Sequence, residues 1–90
     1  MKRPVKNEIR TYRLRRGFSQ RDVAKILGYR NQSPISHWEN GSKVPNLENF
    51  LKLSAALKVP PELLYRDLLR KVREEVFRRK REFGIWERYG

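Results

Sequence analysis

The segment from Leu27 to Gly41, LGYRNQSPISHWENG, contains the chain's only histidine, His37, and one of its two tryptophans, Trp38. A histidine beside serines is compatible with a general base or a metal ligand, but both roles need partner residues. The sequence has no second histidine, no cysteine and no acidic cluster near this segment. We therefore predict no catalytic residue, no metal site and no cofactor, and we interpret these polar side chains as a surface that binds another molecule.

The same segment predicts a helix with two unlike faces. Ile35 and Trp38 lie three residues apart and share one face, which we expect to point inward. The opposite face carries small polar residues at helical spacing: Ser33, Ser36, His37 and Asn40. Two starts are open, because either Asn31 or Ser33 can cap the helix, with Pro34 in the first turn in both cases.

Glycines and prolines divide the chain into five helical stretches, and no strand is predicted. The first runs from about Asn7 to Arg16 and the second from Gln20 to Leu27, where Ser19 and Asp22 can form a capping box and Gly28 ends the helix. Asn46 is predicted to cap a fourth helix. A fifth helix is predicted to follow Pro60-Pro61 and to place Leu63 and Leu64 in the core. The fourth helix is predicted to bury a wide stripe: Leu47, Phe50, Leu51, Ser54 and Leu57.

Composition favours a single small domain with a polyanionic partner. The 90 residues are 38% hydrophobic and 36% charged, with a net charge of +12. Such a charge favours nucleic acid, with an acidic membrane surface or simple solubility as the other interpretations. The absence of cysteine favours an intracellular, cytoplasmic protein, and neither a signal peptide nor a membrane span is expected.

Three motifs, SQRDVAKILG, ISHWENG and PNLENFLKLSAALKVPPELL, resemble the Cro and phage-repressor (Xre) family of helix-turn-helix domains over about Ile9 to Leu64. The resemblance implies an all-α fold, a five-helix repressor-like helix-turn-helix domain with a C-terminal helical extension, and a bacterial, archaeal or phage origin. It also implies binding to double-stranded DNA as a homodimer. We divide the chain into a basic arm, 1–6, the DNA-binding domain, 7–65, and an amphipathic C-terminal helix with an apolar tail, 66–90.

The resemblance also implies roles for individual residues. Residues expected to read bases are Gln32, Ser33, Ser36 and His37. Residues expected to contact the DNA backbone are Gln20, Arg21, Arg30, Asn31, Asn40, Ser42 and Lys43. Arg13 and Glu39 occupy the positions of an inward ion pair. Three departures from the family pattern matter. One extra residue between Gly28 and Ile35 predicts a turn at 29–31 bulging toward DNA, Pro34 removes a backbone N–H that would be available to a phosphate, and Lys58 stands where a glycine is usual.

The extension from Tyr65 onward is predicted to be a long helix with an apolar stripe. Three arrangements are open for it: contact between two subunits, packing on its own domain, or an exposed arm. The residues expected at a subunit contact are Leu69, Val72, Val76, Phe83 and Trp86. Tyr89 belongs to the same apolar tail, and Lys2, Arg3 and Lys6 are candidates for a DNA-contacting arm.

We predict a transcription regulator that reads an operator sequence and acts as a repressor, and we predict no enzymatic activity. Two other classes stay open. An antitoxin-like or adaptor protein would bind a protein partner through the C-terminal helix, and a non-specific nucleic-acid binder would rely on charge alone.

Overall fold

The computed structural model describes residues 4–88, which form five α-helices and no strand. The helices are α1 (Ile9–Arg15), α2 (Gln20–Leu27), α3 (Ser33–Glu39), α4 (Leu47–Leu57) and α5 (Arg66–Phe83). The all-α prediction is confirmed. The predicted fifth helix of the domain is instead one turn of 3₁₀ helix, Pro61–Leu63, in which the Leu63 and Leu64 N–H groups donate to the carbonyls three residues earlier. The turn is not continued, since the Leu64 carbonyl accepts from the Glu8 N–H at 2.9 Å.

The predicted caps are present. The Ser19 hydroxyl accepts from the Asp22 backbone N–H at 3.0 Å, and the Asp22 carboxylate accepts from the Ser19 N–H at 2.8 Å. These hydrogen bonds lower the pKa of Asp22, and Gly28 ends α2 with φ of +93°. The Asn46 side chain accepts from the Asn49 N–H at 2.8 Å and thereby begins α4. The ends of α2 and α4 are therefore determined by neighbouring residues.

The core is formed by the inward faces of α1 to α4 and by the segment after the 3₁₀ turn. Its fully buried side chains are Ile9, Val23, Ile35, Leu53, Leu57 and Leu64. The prediction that Leu47 and Leu51 belong to the core is wrong, since they are 72% and 50% exposed. Helix α4 has apolar residues around most of its circumference, so periodicity alone does not identify the face that packs.

Lys58 ends α4 in the left-handed region, with φ of +52°, in place of the glycine that the family usually has. The side chain of Arg16 stabilises this end of the helix. Its Nε donates to the Leu57 carbonyl at 2.8 Å, and its Nη2 donates to the Lys58 carbonyl at 3.0 Å. The arginine that caps the C-terminus of α1 thus satisfies carbonyls that α4 itself leaves without donors.

The segment 4–8 lies against the end of α3. The Val5 N–H donates to the Gly41 carbonyl at 2.9 Å, and the Asn7 side chain donates to the Trp38 carbonyl at 2.8 Å. A Cβ atom at Gly41 would lie 2.6 Å from the Val5 carbonyl oxygen, so only glycine fits there. Lys6 pairs with Asp67 at 3.2 Å and therefore does not extend as an arm; Lys2 and Arg3 lie outside the described residues.

Helix α5 leaves the domain after its first turn. From Arg70 to Arg88 only Lys80 is as much as half-buried, so the alternative in which the extension packs on its own domain is wrong for the single chain. The apolar segment after α5 turns back, and the edge of the Trp86 ring contacts Phe77 with centroids 5.7 Å apart. Tyr89 lies outside the described residues.

Tyr65 carries a buried hydroxyl that has no hydrogen-bond partner among residues 4–88. Burial raises the pKa of Tyr65 to about 12 from its ordinary value of 10.0. The unfolded chain therefore ionises first as the pH rises, and the stability that this group contributes below pH 10.0 is lost between pH 10.0 and about 12.

We expect Tyr65→Phe to leave the free energy of unfolding at neutral pH unchanged or to raise it by about 1 kcal/mol, because a buried hydroxyl without a partner costs free energy. The variant should also lose less stability in alkali than the parent protein. Urea unfolding at several pH values measures both effects. A variant that is clearly less stable at neutral pH would mean that the hydroxyl has a favourable partner.

Candidate nucleic-acid interface

Helix α3 has one buried and one accessible face. Ile35 is fully buried and Trp38 is 5% exposed, so both point into the core as predicted. On the other side Ser33 and Asn40 are exposed, while Ser36 and His37 are half-buried. Burial of Ile35 and Trp38 thus fixes the orientation of α3, and the hydrogen-bonding side chains lie on its solvent side.

The start of α3 differs from both predicted registers. The N-cap position is Gln32, whose side chain makes no capping hydrogen bond. The Asn31 carboxamide accepts from the Ser33 N–H at 2.9 Å, so it closes a turn one residue before the helix, and Ser33 is already helical. Pro34 lies in the first turn, where a missing N–H leaves no intrahelical bond unmade. Gln32 is exposed at the N-terminus of the helix.

The turn between α2 and α3 does not bulge outward at Tyr29. The Tyr29 hydroxyl accepts from the Asn49 side chain at 2.7 Å, and its ring meets the edge of Trp38 with centroids 5.9 Å apart. Arg30 and Asn31 are exposed. Tyr29 and Asn49 thus hold the longer turn against α4, a role that our sequence analysis missed; the aromatic residue in the extra-length turn was the available signal.

A buried ion pair connects α1 to α3. Arg13 Nε donates to Glu39 Oε2 at 2.6 Å and Arg13 Nη2 donates to Oε1 at 3.0 Å, with the two side chains 9% and 6% exposed. Arg13 Nη1 also donates to the Phe18 carbonyl at 2.9 Å. Gln20 Nε2 donates to Glu39 Oε1 at 3.1 Å, which brings the start of α2 beside the end of α3. The carboxylate of Glu39 therefore connects three helices.

This geometry, two short helices joined by a tight turn with the second exposing a polar face, is that of a helix-turn-helix unit. A comparison with protein families matches residues 9–64 to HTH_3, a helix-turn-helix family. The chain belongs to the HTH_3 family. HTH_3 is a family of DNA-binding transcription regulators, and the match ends two residues before α5 begins. A comparison with curated proteins found no match.

In this HTH_3 domain the loop after α3 is closed by its own hydrogen bonds. The Asn40 side chain accepts from the Ser42 N–H at 2.9 Å, and the Lys43 N–H donates to the His37 carbonyl at 3.3 Å. The side chains of Ser42 and Lys43 are exposed. The Ser42 hydroxyl donates to the His37 carbonyl at 3.4 Å, which leaves its oxygen as an acceptor. The loop therefore has a defined shape at the C-terminal end of α3 and leaves the Lys43 ammonium group available to a ligand.

Gln20 differs from the other predicted contacts of the HTH_3 domain. Its side-chain nitrogen is used by Glu39, and the residue is half-buried, whereas Arg21 on the next position of α2 is exposed. One of the two N–H groups of the Gln20 carboxamide thus serves within the protein, and the second N–H and the backbone N–H groups at the start of α2 are the donors that remain for a phosphate. None of the helices in the described part of the chain is both long and apolar enough to cross a membrane.

Proposed function

We propose that this protein is a sequence-specific transcription regulator, acting as a repressor, that inserts α3 into the major groove of an operator. The observation that carries the proposal is the division of α3 into a face fixed by buried Ile35 and Trp38 and an accessible face of hydrogen-bonding side chains. The major groove is about 12 Å wide and admits one helix, and its base edges pair with short donors and acceptors. The proposed base-reading residues are Gln32, Ser33, Ser36 and His37.

Contacts to phosphates would fix the position of α3 on the duplex without reading sequence. Lys43 and Ser42 extend from the loop after α3, and Arg21 and Arg30 are exposed at the start of α2 and in the turn before α3. Gln20, Asn31 and Asn40 complete the proposed set. The net charge of +12 supports strong attraction to a polyanion.

A dimer is part of the proposed function. Helix α3 has seven residues and is therefore about 10 Å long, which lets one copy read only a few base pairs. Operators of helix-turn-helix dimers present two half-sites about 34 Å apart, one for each reading helix. Two copies of this chain would double the number of bases read and give the affinity that discrimination against random DNA requires.

Gln32→Ala should relax the preference at one base pair of each half-site, because a carboxamide can pair with both N6 and N7 of adenine, a contact that contributes about 1–3 kcal/mol of discrimination. Selection of binding sites from random duplex DNA gives the operator, and binding to single-base variants measures the preference. Lys43→Ala is the matched control: it should weaken binding to all sequences alike and reduce the salt slope by about 1.

The alternative of a non-specific nucleic-acid binder gives a different result in the same assay. A specific regulator should bind its selected operator at least about 10³-fold more tightly than random duplex. If selection yields no preferred sequence, or if Gln32→Ala and Lys43→Ala have the same uniform effect, the proposal of operator reading is wrong. A promoter–reporter fusion carrying the selected operator then tests repression against activation.

A further inference from the structure

An apolar face of α5 is exposed along the length of the helix. Leu68, Val72 and Val76 follow one another at intervals of four residues, and Phe83 lies seven residues further on the same face. These four side chains are between 42% and 63% exposed. Arg79 lies on the same face between Val76 and Phe83, where its Nε pairs with Glu75 Oε1 at 3.5 Å. Exposed apolar surface on this scale is uncommon on a monomer and marks a site of association.

The face continues onto the domain. A groove of about 260 Å³ joins α4 to the start of α5 and is lined by Val44, Pro45, Leu47, Phe50, Tyr65 and Leu68. Leu51 lies one turn after Leu47 on α4 and is also exposed. Leu47 and Leu51 thus extend the exposed apolar face of α5 onto α4. We name the set Val44, Leu47, Leu51, Leu68, Val72, Val76 and Phe83 the α4–α5 face.

Charged residues border the α5 part of this face, with opposite sign on its two edges. Three basic residues spaced by seven, Arg66, Arg73 and Lys80, follow one edge. Glu75 and Glu82, also seven apart, follow the other edge. With Leu69, Val76 and Phe83 at heptad position a, the basic edge occupies position e and the acidic edge position g.

This charge pattern distinguishes the two ways of pairing α5 with itself. In a parallel pair, a residue at position g faces the e residue five positions later on the other helix, so Glu75 meets Lys80 of the second copy twice by symmetry. In an antiparallel pair, equivalent edges meet, which brings basic residues against basic ones and glutamates against glutamates. The charges at positions e and g therefore favour the parallel arrangement. The same arrangement brings Arg79, at position d, beside Arg79 of the second copy, which fixes the register at a cost in stability.

The partners that these residues have within one chain do not prevent this exchange. Glu75 pairs with Arg79 at 3.5 Å, and Lys80 contacts Glu87; three of these side chains are well exposed to solvent, and that of Lys80 is half-buried. Exposed pairs contribute little to stability, so they can be replaced by pairs between subunits at small cost.

We propose that a second copy of this chain docks on the α4–α5 face, with the two α5 helices parallel and in register. The pairing deepens the proposed function, since it names the surface that joins two reading helices. It also extends beyond the region matched by the family, which ends at residue 64. Because self-association is measured without DNA, its failure would remove the proposed dimer but would leave the proposal that α3 reads bases untouched. Failure of base reading would likewise leave the docking surface untouched.

Sedimentation equilibrium of the full chain over a range of concentrations tests the surface. The parent protein should be a dimer, and Val76→Asp should raise its dissociation constant by about 100-fold or more, because the carboxylate would be buried without a partner. Arg78→Asp places the same side chain on the far side of α5 and should change the constant by less than about threefold. A parent protein that stays monomeric, or equal effects of the two variants, would overturn the proposal.

A charge exchange tests the orientation. Glu75→Lys and Lys80→Glu should each weaken the dimer by about three- to tenfold, and the double variant should restore it, because only a parallel pair places these residues opposite each other. Glu74→Lys, on the outer face of the helix, is the matched control and should have no effect. Circular dichroism of each variant shows whether α5 stays helical. Failure of the double variant to recover, with helicity retained, would refute the parallel arrangement.

The absence of cysteine from the sequence allows an independent check. Under mild oxidation, Phe83→Cys should form a disulfide between two copies at least about tenfold faster than Arg81→Cys, which lies on the outer face. An antiparallel pair would place residue 83 of one copy near residue 68 of the other and would give no such difference.

Discussion

Replacement of Glu39 by alanine is expected to lower the free energy of unfolding by about 3–5 kcal/mol, because it leaves the Arg13 guanidinium buried without a counter-charge. The carboxylate accepts two hydrogen bonds from Arg13 and one from Gln20, and neither member of the ion pair is more than 9% exposed. Loss of Glu39 therefore affects α1, α2 and α3 together. Urea unfolding followed by circular dichroism measures the change.

The exposed pair Glu48–Lys52 on α4 provides the matched control. Its charged atoms are 3.4 Å apart and its side chains are 78% and 47% exposed, so Glu48→Ala should cost less than about 1 kcal/mol. A double variant, Arg13→Met with Glu39→Leu, should recover most of the stability lost in Glu39→Ala, since it removes both charges at once. A small effect of Glu39→Ala alone would mean that water reaches Arg13 in the folded protein.

The parts of the fold that the sequence predicted well are those decided within a few residues. The Ser19–Asp22 capping box and the cap at Asn46 depend on side chains three positions from the backbone groups that they bind, and the turn at Gly28 depends on the positive φ of one glycine. The inward direction of Ile35 and Trp38 follows from helical spacing against a polar opposite face. Local patterns of this kind leave few alternatives.

The parts that were predicted wrongly depend on contacts between residues far apart in the sequence. Tyr29 turns inward because Asn49 and Trp38 lie beside it in space. An aromatic residue in the turn signals burial, but nothing within the turn indicates which residues it contacts. The packing of 4–8 on the end of α3 requires the absence of a side chain at Gly41, which was interpreted only as a helix break. Sequence periodicity predicts which residues share a face of a helix, but it does not predict which other part of the chain packs against that face.

Helix α4 shows why the candidate interface between subunits was only partly predictable. An apolar residue on such a helix is buried either by its own domain or by another copy, and the two cases have the same sequence signal. Leu47 and Leu51 were assigned to the core, while Val72 and Val76 were assigned to a subunit contact; in the single chain all four are exposed. We assign all four residues to the α4–α5 face.

Trp38→Ala should lower the free energy of unfolding by about 3–5 kcal/mol, because it removes a large side chain from the centre of the core and leaves a cavity. The Trp38 side chain is 5% exposed and contacts the Tyr29 ring, and the Trp38 carbonyl accepts the Asn7 hydrogen bond that holds the segment 4–8. Thermal unfolding monitored by circular dichroism and urea titration measure the loss.

The second tryptophan supplies the comparison that makes this test specific. Trp86 is 46% exposed and packs against Phe77 of α5, outside the core, so Trp86→Ala should change the stability of the monomer by less than about 1 kcal/mol. Both variants are measured in the Val76→Asp background, so that dimerisation does not contribute to the result. If Trp38→Ala were no more destabilising than Trp86→Ala, the indole of Trp38 would not be part of the core. The polar face of α3 would then not be directed toward DNA, and the basis for assigning Gln32, Ser36 and His37 to base recognition would be lost.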